Sequence, residues 1–296
     1  MKNPLISIII LNFNQIEVTC EFLESCKLLT YDNYEIILVD NASKLNPADR
    51  ITKEYPQVNF IRSEENLGFT GGNNLGIAAG AGDYFFIVNN DTEVTPNLLE
   101  LLLAPFDLDE NIGMVSPKIK YYASPELVQY AGYTEVNSVT GRNNAVGAKQ
   151  KDEGQFTSGY TAYAHGAAML VKKKVIDTVG AFAEDFFIYY EELDWSARAK
   201  KAGFKIYFQS EAEILHKESV TMGKESAIKA YYHNRNRFLF MKRNQNAFSF
   251  FFFFIFFILL VTPKQLIKYR RNNQPEHYRN FVKGLRWNMT RLFNTQ

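Results

Sequence analysis

Residues 5–11 read LISIIIL, a run built mostly from Ile and apolar throughout except for Ser7. A strand with one wet face alternates apolar and polar residues. A run without alternation describes a strand covered on both faces, the habit of parallel sheets flanked by helices. Residues 35–39 (EIILV), 58–62 (VNFIR) and 84–88 (YFFIV) are further strand candidates. Helix candidates span 16–29 and 47–55, and a Gly/Asn-rich loop over 66–76 enters a helix ending near Gly80. Strands alternating with helices at this spacing predict βαβ units, right-handed crossovers and an α/β fold with a mostly parallel central sheet and helices on both faces. Ligands of such sheets sit beyond the carboxyl ends of the strands, where Asn12, Asp40, Asn66 and Asp91 fall.

Further along, Pro96 opens a helix over 96–105, and short strands are expected at 113–117 and 119–122. The polar stretch 141–159 offers few apolar anchors and is expected to be mobile or acceptor-facing. A strand over 165–171, a helix over 172–179 closed by Gly180, and a helix from Glu191 to Gly203 follow. The only cysteines, Cys20 and Cys26, share a helix candidate and read as small buried thiols in a reducing compartment. Residues 1–4 run straight into a strand without a signal-peptide core, so export is not expected.

Net charge is +1, which predicts no nucleic-acid partner, but its distribution is uneven. From Lys242 to Gln296 there are ten Lys/Arg against one acid, Glu276, and the totals of 33 and 32 leave 23 basic and 31 acidic residues before it. A basic tail on an acidic body points to an anionic surface.

Carboxylates gather in two places. Asn89-Asn90-Asp91-Thr92-Glu93 directly follows the strand at 84–88, and in extended backbone residues two apart share a side. Asp91 and Glu93 there suit Mg²⁺ or Mn²⁺, which bind through one or two carboxylates plus substrate phosphates, although acids ending a strand are also ordinary turn formers. Glu191, Glu192 and Asp194 open a helix, where the macrodipole alone favours acids, and Asp194 with Arg198 makes a plausible structural pair. The aromatic approach at 186–190 (FFIYY) sets a carboxylate beside apolar surface, which raises its pKa towards proton abstraction. His216, ending a late strand, is a third metal-ligand candidate or a packed histidine. No phosphate-binding GxxxxGK[ST], HExxH or CxxC occurs, and Gly68, Gly71, Gly72 and Gly76 do not make GxGxxG.

Taken in order, LISIIILNFN, VDNAS, NLGFTGGNNLG, VNNDTEV, HGAAMLV, FFIYYEELDWSARAKKAG and ILHKESVTMG resemble family 2 glycosyltransferases of the GT-A fold, most nearly the rhamnosyltransferase-like branch that builds bacterial surface polysaccharides. The resemblance covers about residues 4–241 and implies a Rossmann-like sheet binding a UDP- or dTDP-linked sugar. Carried onto this chain, it implies that Asn12 and Asn14 line the nucleotide and Asp40 holds the base. Asn66 and Gly68 approach the nucleoside, and Asn73 faces the diphosphate. Asn90-Asp91-Thr92-Glu93 stands where the family has Asp-x-Asp, with Asn in place of the first acid, so Asp91 is the foremost ligand. Glu192 replaces the base of the family's Glu-Asp pair, with Glu191 as fallback. Inverting transfer to a glycan or lipid-linked acceptor follows.

Residues 247–261 (AFSFFFFFIFFILLV) carry no charge and have basic residues on both sides. As a helix they span about 22 Å, short of the ~30 Å hydrocarbon core. The expectation is a GT-A domain over 1–241 and a membrane-associating helical tail over 242–296 on the cytoplasmic face of the plasma membrane. A short tilted span, a buried helix or a homodimer interface are the other readings. A sugar-nucleotide nucleotidyltransferase and a non-catalytic scaffold retaining the fold are the rival functions. The first normally shows a basic Gly-rich loop after strand one, where this chain has Asn12-Phe13-Asn14-Gln15.

Overall fold

The computed structural model describes residues 3–217 and 226–292; residues 218–225, the end of the ILHKESVTMG segment among them, lie outside the described residues. Two compact units emerge. One comprises Met1–Thr134, Ala145–Phe187 and Glu191–Thr221, the other Glu135–Asn144, Ile188–Tyr190 and Met222–Gln296.

The first unit opens with β1 (Ile6–Asn12), α1 (Ile16–Cys26), β2 (Tyr34–Asp40), α2 (Ala48–Glu54), β3 (Val58–Arg62), α3 (Gly68–Ala79) and β4 (Tyr84–Asn89). Next come β5 (Thr92–Val94), α4 (Leu98–Leu103), β6 (Ile112–Tyr121), β7 (Ser124–Tyr130), β8 (Gln150–Lys151) and β9 (Gly159–Tyr160). It closes with β10 (Ala168–Lys172), α5 (Lys173–Val179), α6 (Glu191–Lys201) and β11 (Lys205–His216). Alternate residues of β1 enter different core layers. Ile6, Ile8 and Ile10 join Phe22 and Leu23 of α1 and Leu98 of α4. Ile9 joins Ile77 of α3, Val175 of α5 and Trp195 of α6. Helices on both faces explain why the run is apolar but for Ser7, whose buried hydroxyl donates to Glu35 at 2.6 Å. Cys20 and Cys26 are buried in the first layer as free thiols.

Strand order is β3-β2-β1-β4-β10-β6-β11-β5. The first four strands are parallel. Beyond them the sheet is mixed: β10 is antiparallel to both β4 and β6, and β11 is parallel to β6 and antiparallel to β5. A parallel neighbour needs a crossover, usually helical. Among the described residues the chain from β6 to β10 carries a hairpin and irregular loops but no α-helix, so β10 enters from the opposite end. Residues 165–167 are thereby delivered to the carboxyl end of β4, where Asn89 N–H donates to Ala167 O at 3.0 Å. The two short strands expected around Pro117 are one continuous β6. Proline is tolerated there because β11 opposite it shifts register between Gln209 and Glu213.

The Gly-rich segment read as a loop is the body of α3. A Cβ on Gly72 would lie 2.3 Å from Leu11 Cδ1, and one on Gly76 2.4 Å from Ile9 Cγ2. Glycine weakens a helix by roughly 0.5–1 kcal/mol per residue. Here its absent side chain lets α3 lie directly on β1, and that packing offsets the cost.

The second unit holds α7 (Ala227–Asn244), α8 (Ala247–Phe256), α9 (Thr262–Arg271) and α10 (Pro275–Leu292). A π-helical turn at Phe257–Val261 joins α8 to α9, making one 25-residue helix, Ala247–Arg271, long and apolar enough to cross a membrane. The helix is thus longer than the fifteen uncharged residues imply, because it continues into the basic segment. The unit also begins before the expected boundary at 241/242. Phe238 of α7 packs on Phe253 and Phe257 with ring centroids 5.8 and 5.7 Å apart, which ties α7 to the tail.

Candidate active site

The carboxyl ends of β4, β1, β2 and β3 are linked by one buried chain of hydrogen bonds. Asn90 Nδ2 donates to Thr19 Oγ1 at 2.9 Å, and that hydroxyl donates to Asn12 Oδ1 at 2.9 Å. Asn12 Nδ2 donates to Asp40 Oδ1 at 2.7 Å, Ser43 Oγ donates to the same oxygen at 2.5 Å, and Arg62 of β3 meets Asp40 Oδ2 at 2.5 Å. Asp40 is fully buried, so it fixes the loops after β1 and β2 from beneath. Asn14 sits at φ +56° and accepts from Lys44 N–H at 2.8 Å, joining those loops again. Asn66 Oδ1 accepts from Asn41 Nδ2 at 3.0 Å and from Gly68 N–H at 2.9 Å. Asn73 is buried within α3 and donates to Phe69 O at 2.8 Å.

Asn90 and Asp91 form the two-residue turn between β4 and β5. Antiparallel pairing of β5 with β11 brings His216 opposite Thr92, and His216 Nε2 lies 3.1 Å from Asp91 Oδ1. His216 Nδ1 is 2.8 Å from Gln129 Oε1, which can only accept, so Nδ1 carries the proton. Asp91 Oδ1 is buried and accepts no hydrogen bond. A proton on Nε2, or a cation between the two groups, would satisfy both atoms. An oxygen and an imidazole nitrogen are a donor pair suited to Mn²⁺. Among the described residues no group of three or more His, Cys, Asp or Glu gathers there, so water and substrate oxygens would complete the shell. Glu93, grouped with Asp91 from sequence, meets Lys217 Nζ at 3.1 Å instead.

At the same end of the sheet, a Cβ on Gly166 would lie 3.8 Å from the Cβ and Cγ of Glu192. Glu192 is half-buried, whereas Glu191 beside it is buried and its Oε2 accepts no hydrogen bond. Burial, and then the charge of Glu192, push the Glu191 carboxyl well above the ordinary carboxylate range. The approach to α6 is strained, for Phe187, Tyr189 and Tyr190 all have φ between +63° and +72°. Such positions cost of order 1–3 kcal/mol each and cluster at working sites. Phe187 O accepts from Phe69 N–H at 2.7 Å and Thr70 N–H at 3.2 Å, so the start of α3 holds this bend.

His165 is a site residue that sequence reasoning assigned only to a strand. It sits in the turn before β10, where its Nδ1 accepts from Ala167 N–H at 3.0 Å. It stacks on Tyr133 with centroids 5.6 Å apart and planes 11° from parallel. Burial, and then His216, push its pKa down to about 3, so it stands neutral. Burial, and then the neighbouring Glu192, drive up the pKa of the Tyr133 hydroxyl. His165 and Tyr133 thus stack at this end of the sheet, with His216 near enough to act on His165 and Glu192 near enough to act on Tyr133.

A sheet with an acidic turn after β4 and a carboxylate helix start facing the same rim is the arrangement of a GT-A glycosyltransferase. The chain belongs to glycosyl transferase family 2, whose model matches residues 7–180. An N-acetylglucosaminyl-diphospho-decaprenol L-rhamnosyltransferase of Mycobacterium tuberculosis is 25% identical over 240 residues, 74% of this chain and 78% of that protein. The low-salt glycan biosynthesis hexosyltransferase Agl10 of Haloferax volcanii is 25% identical over 69% of this chain and 66% of its own. Among solved structures, the mannosyltransferase PcManGT from Pyrobaculum calidifontis, in complex with GDP-Man and Mn²⁺, superposes with a TM-score of 0.59 at 12% identity, covering 100% of this chain and 77% of that one. GalNAc-T7 with UDP, GalNAc and Mn²⁺ gives 0.60 at 16% identity over 72% of this chain, which spans 43% of the GalNAc-T7 chain.

Proposed function

We propose that this glycosyltransferase moves a hexosyl group, rhamnose by its likeness to the mycobacterial relative, from a UDP- or dTDP-linked donor to a lipid-linked or polysaccharide acceptor, with inversion. The observation that carries the reading is the placement of Glu192 against Gly166 at the sheet end that also holds Asp91 and His216. Cleaving the sugar–nucleotide bond gives the anomeric carbon an oxocarbenium-like character. The acceptor oxygen attacks the face opposite the departing diphosphate, and Glu192 takes the hydroxyl proton as the new C–O bond forms. General-base help of this kind contributes typically ~10²–10⁴-fold. Glu191 is buried with its carboxyl pushed up by burial, and the half-buried Glu192, set against Gly166, is the carboxylate assigned the base role. Asp91 and His216 would hold a divalent ion, which supplies charge neutralisation at the leaving diphosphate. Asn12, Asn14, Asp40 and Asn90 set the loops that receive the nucleotide, and Asn66, Gly68 and Asn73 set the start of α3 beside it.

The proposed location is the cytoplasmic membrane surface. On the helix Ala247–Arg271, Phe248, Phe252, Ile255 and Leu259 recur at helical spacing and are exposed, Phe248 by 74% and Leu259 by 64%. An exposed apolar face flanked by basic residues suits an anionic leaflet. Replacing Phe248, Phe252 and Leu259 with Ser should release the protein from vesicles, and unchanged partitioning would refute the anchor. The function itself is tested by incubating the protein with a panel of nucleotide sugars and a lipid-linked glycan. Release of nucleoside diphosphate only when donor and acceptor are both present supports the reading. Release of diphosphate from a nucleoside triphosphate would favour a nucleotidyltransferase, and no release would favour a scaffold.

A further inference from the structure

We propose that a basic cavity in the second unit binds the diphosphate through which a lipid-linked acceptor carries its sugar. This rests on the acceptor class given above and assigns it a binding site. The cavity holds about 600 Å³ and is lined by Arg142, Lys229, Arg237 and Lys268, with His233 and Gln265 among its other walls. Among the described residues no Asp or Glu lines it. Among the described residues, none of these four cations has a carboxylate partner. The contrast with the first unit is sharp. There Lys118 meets Asp152 and Glu213, Arg198 meets Asp194, and Arg62 meets Asp40.

Arg237 is only 4% exposed. Its Nε donates to Thr140 O at 2.7 Å, and its guanidinium lies over the rings of Phe253 and Phe257 at 5.8 and 5.5 Å. These contacts fix the group without neutralising it. Burial, and then Arg142, push Arg237 down to about 10, while burial, Lys229 and Arg142 push His233 down to about 4. Gathering cations beside buried apolar rings is unfavourable unless an anion joins them. A diphosphate supplies that charge, and hydrogen bonds between ionised partners are the strong ones.

Two further features select a lipid-linked sugar over a bare anion. Gln265 Oε1 is buried, accepts no hydrogen bond and belongs to the cavity wall, so it calls for a donor such as a sugar hydroxyl. The same helix that contributes Gln265 and Lys268 carries Leu259, Leu260 and Ile267, exposed by 64%, 59% and 56%, apolar surface for a lipid chain. Tyr190, another wall of the cavity, directly precedes Glu191 in the chain.

The full chain in detergent should be titrated calorimetrically with farnesyl diphosphate, farnesol, inorganic diphosphate and UDP, and floated on phosphatidylglycerol vesicles. Farnesyl diphosphate and inorganic diphosphate should bind, and farnesol should not. The double variant Lys229→Gln, Lys268→Gln should weaken both diphosphates by about tenfold or more per cation removed. UDP binding and melting temperature should stay unchanged. Arg142→Gln, on the exposed rim, should give about tenfold alone if the double variant folds poorly. Equal diphosphate affinity in variant and wild type would overturn the proposal. So would a loss confined to vesicles, which assigns the cavity to phospholipid, or a parallel loss of UDP, which assigns it to the donor. A chain that binds farnesyl diphosphate through these lysines but transfers no sugar contradicts the function proposed above and leaves this site standing.

Discussion

Replacing Gly68 with Ala should damage stability and turnover together, because two separate costs meet at this residue. Its φ is +70°, and a left-handed backbone costs an L-residue roughly 1–2 kcal/mol. The added Cβ would also lie 2.5 Å from Phe187 Cδ2 and 2.6 Å from Phe187 O. The oxygen is backbone and cannot swing aside, so the bend before α6 must move. Moving it breaks the two hydrogen bonds that Phe187 O accepts from Phe69 and Thr70, each worth about 0.5–1.5 kcal/mol. The total is about 2–5 kcal/mol. Gly154 provides the control, since its φ is +80° and nothing lies within 4 Å of its Cβ position, leaving only the backbone cost. Urea unfolding should therefore show Gly68→Ala less stable than Gly154→Ala by about 1–3 kcal/mol, with turnover reduced only in the former. Equal unfolding curves for the two variants would refute the claim that Phe187 braces the start of α6 against α3.

Glu191→Gln should stabilise the protein increasingly as pH rises. The folded carboxyl lies above its unfolded value of about 4.3, so the wild type loses stability as pH climbs beyond that value while the amide does not. The difference in melting temperature should be small at pH 4 and larger at pH 8; a difference independent of pH would contradict the burial argument. Asp152→Asn should do the reverse. Lys118, and then Lys120, hold Asp152 down to about 2, so its contribution is complete above about 3.9 and fades as pH falls towards 2. The expected loss near neutrality is about 1–2 kcal/mol after allowance for solvent screening, shrinking in acid; no loss at pH 7 would contradict it. Asp91→Asn should weaken Mn²⁺ binding at least tenfold, read by the electron paramagnetic resonance of free Mn²⁺, and unchanged binding would remove Asp91 as a ligand.

Most of the sheet was legible from local pattern, because a β-branched run buried on both faces has few other solutions. The places that escaped share a physical reason. Gly71, Gly72 and Gly76 argue against a helix by propensity, and only the closeness of β1 makes their missing side chains an advantage. The direction of β10 depends on a hairpin far upstream. His165 was invisible as a site residue because its setting comes from Tyr133 and His216, which are remote in sequence. Glu93 was grouped with Asp91 on strand alternation, but Asp91 sits in a turn, where the two-residue rule does not apply, and Lys217 takes Glu93. The basic cavity escaped too, because Arg142 and Tyr190 reach it from segments far from the tail.

The most direct test of the account is single-turnover transfer by Glu192→Gln. An isosteric amide cannot accept the acceptor proton, so the transfer rate should fall by ~10²–10⁴-fold while donor affinity measured by calorimetry stays within twofold of wild type. A variant that transfers sugar at the wild-type rate would show that the proton leaves by another route, and the chemistry assigned to this rim would be wrong.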